Sequence, residues 1–143
     1  MGGRLLKLFA LLVFLSLPVA AQAQDVGPAD KAAIRDVISA QLNAFQHDDG
    51  NAAYSYASPT IQTLFHDPAT FMEMVRTGYQ SVYRARDVEF RDLGPIEGRL
   101  VQQVYMVGPD GVAVIADYSM QKQPDGSWKI NGCSIEKAPD QGV

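Results

Sequence analysis

The sequence predicts an α+β domain, in which N-terminal helices pack on the concave face of a bent antiparallel β-meander of about four strands. Apolar residues recur at helical spacing up to about residue 84, and from Arg86 onward they alternate with polar residues. Pro-Asp-Gly turn signals separate the alternating runs. Because the helical segments come first and the strands follow, the pattern indicates separate layers rather than repeated βαβ units.

The N-terminal residues have the pattern of a cleaved signal peptide. Arg4 and Lys7 precede an apolar run over residues 8–17, and Ala21-Gln22-Ala23 matches a signal-peptidase site. The apolar run is too short to span a bilayer comfortably. We therefore predict a signal peptide at 1–23, a single α+β domain at 24–137 and a disordered tail at 138–143. The expected location of the mature protein is periplasmic or secreted.

The charge of the expected mature chain argues against polyanionic partners. Ten Lys and Arg residues face sixteen Asp and Glu residues, which gives a net charge near −6. Such a surface repels nucleic-acid phosphates and anionic lipids, so we predict no nucleic-acid partner and no membrane partner after signal cleavage. The single cysteine, Cys133, has no internal disulfide partner. A buried free thiol is favoured over an intermolecular bridge or a reactive thiol.

The first predicted element is a long amphipathic helix of about four turns. Pro28 suits its first turn, and Asp30 places a negative charge near the positive end of the helix dipole. One face collects the residues at helical spacing: Ile34, Val37, Ile38, Gln41, Leu42 and Phe45.

Three shorter helices are predicted to follow. The first includes residues 52–57, the second begins at Ser58-Pro59, and the third begins at Asp67-Pro68. We expect the third to end at Gly78, in the left-handed conformation that glycine accepts.

Four strands are predicted after the helices. The apolar alternation begins at Arg86 and continues through residues 99–107, 112–122 and 127–137. In the last strand, Ile130 and Cys133 lie on opposite parities, so we expect a bulge or sharp bend at Gly132.

Several stretches resemble a known family. "DDGNAAYSYASPTIQTLF", "FMEMVRTGY" and "DGSWKINGC" are similar to an exported bacterial family known as domain of unknown function 4864. The order of "AFQHDDGNAAYSYA", an extra helical turn and the closing strand resembles the broader nuclear transport factor 2-like superfamily. That resemblance implies a cone with a pocket between helices and sheet, here somewhat reduced in strand number. The pocket is an isomerase, dehydratase or cyclase site in some members, and many others are binding or dimerisation modules.

Two His-Asp pairs, His47-Asp48 and His66-Asp67, suggest two different roles. Imidazole and carboxylate groups can bind divalent metals, as in the all-helical phosphohydrolases that use such pairs. Both pairs, however, lie where one predicted helix ends and the next begins. The favoured interpretation is that Asp48 or Asp49, and Asp67, cap helix N-termini, and we predict no metal and no cofactor.

The candidates for catalysis are Asp117 and His47. Asp117 lies in an apolar strand, where a buried carboxylate could act as a general base with Tyr54 or His47 assisting. Strand parity instead turns Asp117 outward, because Val114, Ala116 and Tyr118 form the more apolar face. A cofactor-independent isomerase or hydrolyase is therefore the alternative hypothesis.

The leading hypothesis is a non-enzymatic module that binds a small apolar or amphipathic molecule or a protein partner. A homodimer through the sheet is a further expectation. The residues expected to line the pocket are aromatic or carry an amide. They are Tyr54, Tyr56, Phe65, Gln102, Tyr118 and Trp128.

Overall fold

The computed structural model describes residues 26–139. The predicted signal peptide and the last four residues of the predicted tail lie outside the described residues. The helices are α1 (Pro28–Gln46), α2 (Gly50–Ser55), α3 (Pro59–Phe65), α4 (Pro68–Gly78) and α5 (Gln80–Tyr83), and the strands are β1 (Arg86–Ile96), β2 (Arg99–Val107), β3 (Ala113–Lys122) and β4 (Trp128–Lys137). This order confirms the predicted α+β class. None of the helices between residues 26 and 139 is long and apolar enough to cross a bilayer.

Side-chain caps set the starts of the three helices that follow α1. Asp49 accepts a hydrogen bond from the Ala52 amide at 3.1 Å, and Ser58 and Asp67 cap α3 and α4 in the same way. The predicted capping roles are therefore confirmed, with Asp49 rather than Asp48 capping α2. Asp48 instead forms an ion pair with Arg84 at 3.0 Å.

α4 ends at Gly78 as predicted, but the backbone conformation at its end differs from the prediction. Gly78 does not adopt the expected left-handed conformation, and α4 closes at Tyr79, whose φ is −136°. Tyr79 is also the N-cap residue of α5, a short helix that the sequence pattern did not reveal. Only Tyr79 lies between the two helices, so the sequence has one stop signal, Gly78, where the chain forms two helices.

The sheet is a fully antiparallel meander in the order β1-β2-β3-β4. Gly111 and Gly126 have φ of 79° and 88°, as expected for the Pro-Asp-Gly turns that join β2 to β3 and β3 to β4. β3 begins at Ala113, because Val112 lies in the turn and is exposed.

The predicted irregularity in β4 is a bulge. Ser119 pairs with Gly132 and Met120 pairs with Ile130, which leaves Asn131 as the extra residue. The bulge brings the Asn131 side chain to the helical layer, where its Oδ1 accepts a 2.7 Å hydrogen bond from Ser58 Oγ.

A short parallel bridge ties the helical layer to the sheet. The Ser58 amide donates to the Ile130 carbonyl at 2.8 Å, and the Ile130 amide donates to the Tyr56 carbonyl at 2.9 Å. The linker between α2 and α3 therefore pairs with the edge of β4. The core lies between this edge, the concave face of the sheet and the apolar faces of α1 and α4.

Candidate functional site

The candidate site is a cavity of about 300 Å³ between the helices and the concave face of the sheet. α1, α3, α4 and α5 form its walls, and β3 and β4 form its floor. The lining residues are Gln41, Phe45, Ala57, Ile61, Leu64, Phe65, Phe71, Met74, Val75, Tyr79, Val82, Tyr118, Ile130, Gly132 and Cys133. Most of these side chains are apolar, as in small-molecule sites generally, and the volume lies at the small end of the usual range.

The walls contain a cluster of aromatic rings around Phe71. The ring centroids of Phe45 and Phe65 lie 6.3 and 5.9 Å from that of Phe71. Tyr54 packs on the same ring at 5.7 Å and donates its hydroxyl hydrogen bond to the Gln62 carbonyl. Contacts of this kind hold the rings in fixed positions, so this part of the wall is preformed.

Tyr118 is the most unusual residue of the cavity. It comes from β3, is 1% exposed, and its hydroxyl has no hydrogen-bond partner among the described residues. Leaving a buried hydroxyl without a partner costs about 1–3 kcal/mol, so such groups are rare in folded proteins and call for a specific explanation. Burial, with a smaller effect of the neighbouring Cys133, raises the pKa of Tyr118 well above its ordinary value. The hydroxyl is therefore a neutral donor at physiological pH.

The other polar residues of the lining already have partners or stay neutral. Gln41 donates from Nε2 to the Ala53 carbonyl at 3.1 Å, and the Tyr79 hydroxyl donates to the Cys133 carbonyl at 3.0 Å. Burial, and then the negative charge of Asp117, raises the pKa of the Cys133 thiol to about 12. This thiol is a poor nucleophile, because only the thiolate reacts.

Two of the six predicted pocket residues, Phe65 and Tyr118, line the cavity. Tyr54 lies behind its aromatic wall. Gln102 is buried at the β1 bulge, where Nε2 donates to the Arg91 carbonyl at 3.0 Å. Trp128 is buried near the start of α1 and donates from Nε1 to Asp30 at 3.0 Å.

Tyr56 is half-buried and contributes its carbonyl to the bridge with Ile130. Its side chain is not among the residues that line the cavity.

The catalytic candidates do not meet at the cavity. Asp117 alternates with Tyr118 on β3 and lies on the outer face of the sheet, where it accepts a 3.0 Å hydrogen bond from Gln103. His47 is exposed at the end of α1, and its Nδ1 lies 2.9 Å from the Asn43 carbonyl oxygen. His66 is exposed at the end of α3. The structure thus gives Asp117 no position from which to act as a base in the cavity.

Sequence reasoning did not include Gln41, Tyr79 and Cys133 in the pocket. Gln41 carried a usable signal, since it is the one amide on the apolar face of the first helix. A polar residue on a buried face needs a partner, which often lies at a site or at a helix contact. Tyr79 and Cys133 had no such signal, because their pairing joins residues that are distant in sequence.

Comparisons with known proteins identify a family and nothing narrower. Neither the curated proteins nor the solved structures contain a match to the chain. The family model described as "Domain of unknown function (DUF4864)" matches residues 28–143, which include all the described helices and strands. This chain therefore belongs to the DUF4864 family.

Proposed function

We propose that this chain is an exported domain of the nuclear transport factor 2-like type that binds a small apolar molecule without transforming it. The observation that carries the proposal is the preformed apolar cavity between helices and sheet. The signal-peptide pattern at 1–23 supports export. The separation of Asp117 from the cavity supports binding rather than acid-base catalysis.

The size of the cavity suggests a suitable probe. An apolar protein cavity of about 150 Å³ holds one benzene molecule. The cavity described above has about twice that volume. Naphthalene, with two fused rings and no polar group, is therefore the expected fit and a simple test of apolar binding.

Calorimetric titration of the mature protein with naphthalene tests this function. We expect saturable binding at one site per chain, and native mass spectrometry of freshly purified protein should show any co-purifying molecule. Ile61→Trp places a large ring in the cavity wall and should abolish binding.

Ile96→Trp is the matched control, because Ile96 is exposed at the end of β1 and does not line the cavity. Absence of naphthalene binding to the wild-type protein would contradict the proposed function. Equal binding by the two variants would show that naphthalene binds at another place.

A further inference from the structure

We propose that the cavity selects an uncharged amphipathic molecule of about ten non-hydrogen atoms, whose polar group forms a hydrogen bond with the buried Tyr118 hydroxyl. This inference rests on the binding function proposed above and specifies the class of ligand that the same cavity takes.

The position of the Tyr118 hydroxyl is the first argument. Tyr118 lies on the floor of the cavity. Among the buried side-chain nitrogen and oxygen atoms of residues 26–139, its hydroxyl oxygen is the one that lacks a hydrogen-bond partner. Because folded proteins rarely leave such a group unsatisfied, a molecule in the cavity is expected to supply the missing acceptor or donor. A ketone, alcohol, ether or amide oxygen can do so.

The absence of charge in the lining is the second argument. None of the described lining residues is Asp, Glu, Lys, Arg or His. The Cys133 thiol, whose pKa is about 12, also stays uncharged. A carboxylate, phosphate or ammonium group would lose its hydration there without gaining an opposite charge. Charged amphiphiles are therefore poor ligands for this cavity.

The orientation of the ligand follows from the two ends of the cavity. Leu64 on α3 lines the cavity and is nevertheless 64% exposed, which places the mouth of the cavity at α3. Tyr118 lies at the opposite, sheet side. The polar group of the ligand is thus the inner end, and its apolar part lies toward α3 and α4. A surfactant-like molecule would have the reverse orientation, with its polar head in water at the mouth.

Three probes that share the same two fused rings separate these requirements. Naphthalene has no polar group, 2-naphthol has one neutral hydroxyl, and 2-naphthoate carries a carboxylate. For the wild-type protein we expect 2-naphthol to bind about three- to tenfold more tightly than naphthalene, the usual net effect of one hydrogen bond. We expect 2-naphthoate to bind at least about tenfold more weakly than 2-naphthol.

Tyr118→Phe removes the proposed partner and keeps the ring. In this variant the preference for 2-naphthol over naphthalene should disappear or reverse, while naphthalene still binds. Tyr83→Phe is the matched control, because Tyr83 does not line the cavity and its hydroxyl donates a hydrogen bond to Asp48 at the surface; it should keep the wild-type preference. Circular dichroism of both variants establishes that they are folded.

Two sets of results distinguish this inference from the function on which it rests. Naphthalene binding without a preference for 2-naphthol, a preference that persists in Tyr118→Phe, or tight binding of 2-naphthoate would overturn the inference and leave apolar binding intact. Failure of naphthalene to bind the wild-type protein would overturn both.

Discussion

Replacement of Tyr118 by phenylalanine should stabilise the ligand-free protein. Most buried Tyr→Phe changes remove a satisfied hydroxyl and destabilise the fold, but this hydroxyl has no partner in residues 26–139. Its removal recovers a desolvation cost of about 1–3 kcal/mol. The oxygen belongs to a residue that lines an existing cavity, so the added void costs only a few tenths of a kcal/mol. The net expected gain in the free energy of unfolding is about 1–2 kcal/mol.

Urea unfolding and thermal melts of protein that has been unfolded, dialysed and refolded measure this gain without a co-purifying molecule. For a domain of this size, about 1 kcal/mol shifts the Tm by roughly 3–5 °C, so an increase of about 3–10 °C is expected. Tyr79→Phe loses a formed hydrogen bond and should instead be destabilised by about 0.5–1.5 kcal/mol. A loss of stability in Tyr118→Phe comparable to that in Tyr79→Phe would refute the reasoning, because it would show that ordered water satisfies the Tyr118 hydroxyl.

Three further predictions concern ionisable residues. Asp67→Ala removes the cap that bonds the Thr70 amide at 2.7 Å and should lower the Tm by a few degrees, whereas Asp67→Asn, which can still accept this bond, should lower it less. The hydrogen bond from Trp128 lowers the pKa of the Asp30 carboxyl below its ordinary value of 3.8. The ionised carboxylate therefore stabilises the fold above about pH 3.8, and this stabilisation is lost as the pH falls through the pKa of the folded state. Urea unfolding at several pH values should therefore show a weaker acid dependence in Asp30→Asn; an unchanged dependence would argue against this pairing. The pKa of Cys133, raised from 9.0 to about 12, makes its thiolate about a thousandfold scarcer at pH 8, and alkylation should be correspondingly slow in the folded protein and fast in urea. Equal alkylation rates in the two states would contradict the raised pKa of this thiol.

Local signals predicted the parts of the fold that short stretches of chain determine. Ser58-Pro59 and Asp67-Pro68 each contain a cap and a proline in adjacent positions, and both begin helices as expected. Strand parity also correctly placed Tyr118 toward the helices and Asp117 on the outer face. Both inferences depend on backbone geometry over a few residues, which sequence shows directly.

The alternation of side chains along a strand shows which face of the sheet a residue lies on. It does not show how close that residue lies to the cavity. Gln102 and Trp128 are buried, but the β1 bulge and the start of α1 occupy the space next to them. The short helix α5 was missed for a related reason. Tyr79, which separates α4 from α5, donates its hydroxyl hydrogen bond to the Cys133 carbonyl, a contact between residues 54 positions apart in sequence.

The linker that pairs with β4 also limits how this protein can associate with another strand. Ile130 already uses both of its backbone hydrogen-bonding groups with the linker, and the Cys133 carbonyl accepts from Tyr79. An additional strand therefore cannot pair along the full length of this edge. At the other edge, β1 has two register shifts and a positive φ at Asp87. Both edges of the described sheet thus resist the lateral strand addition that leads to amyloid-like aggregation.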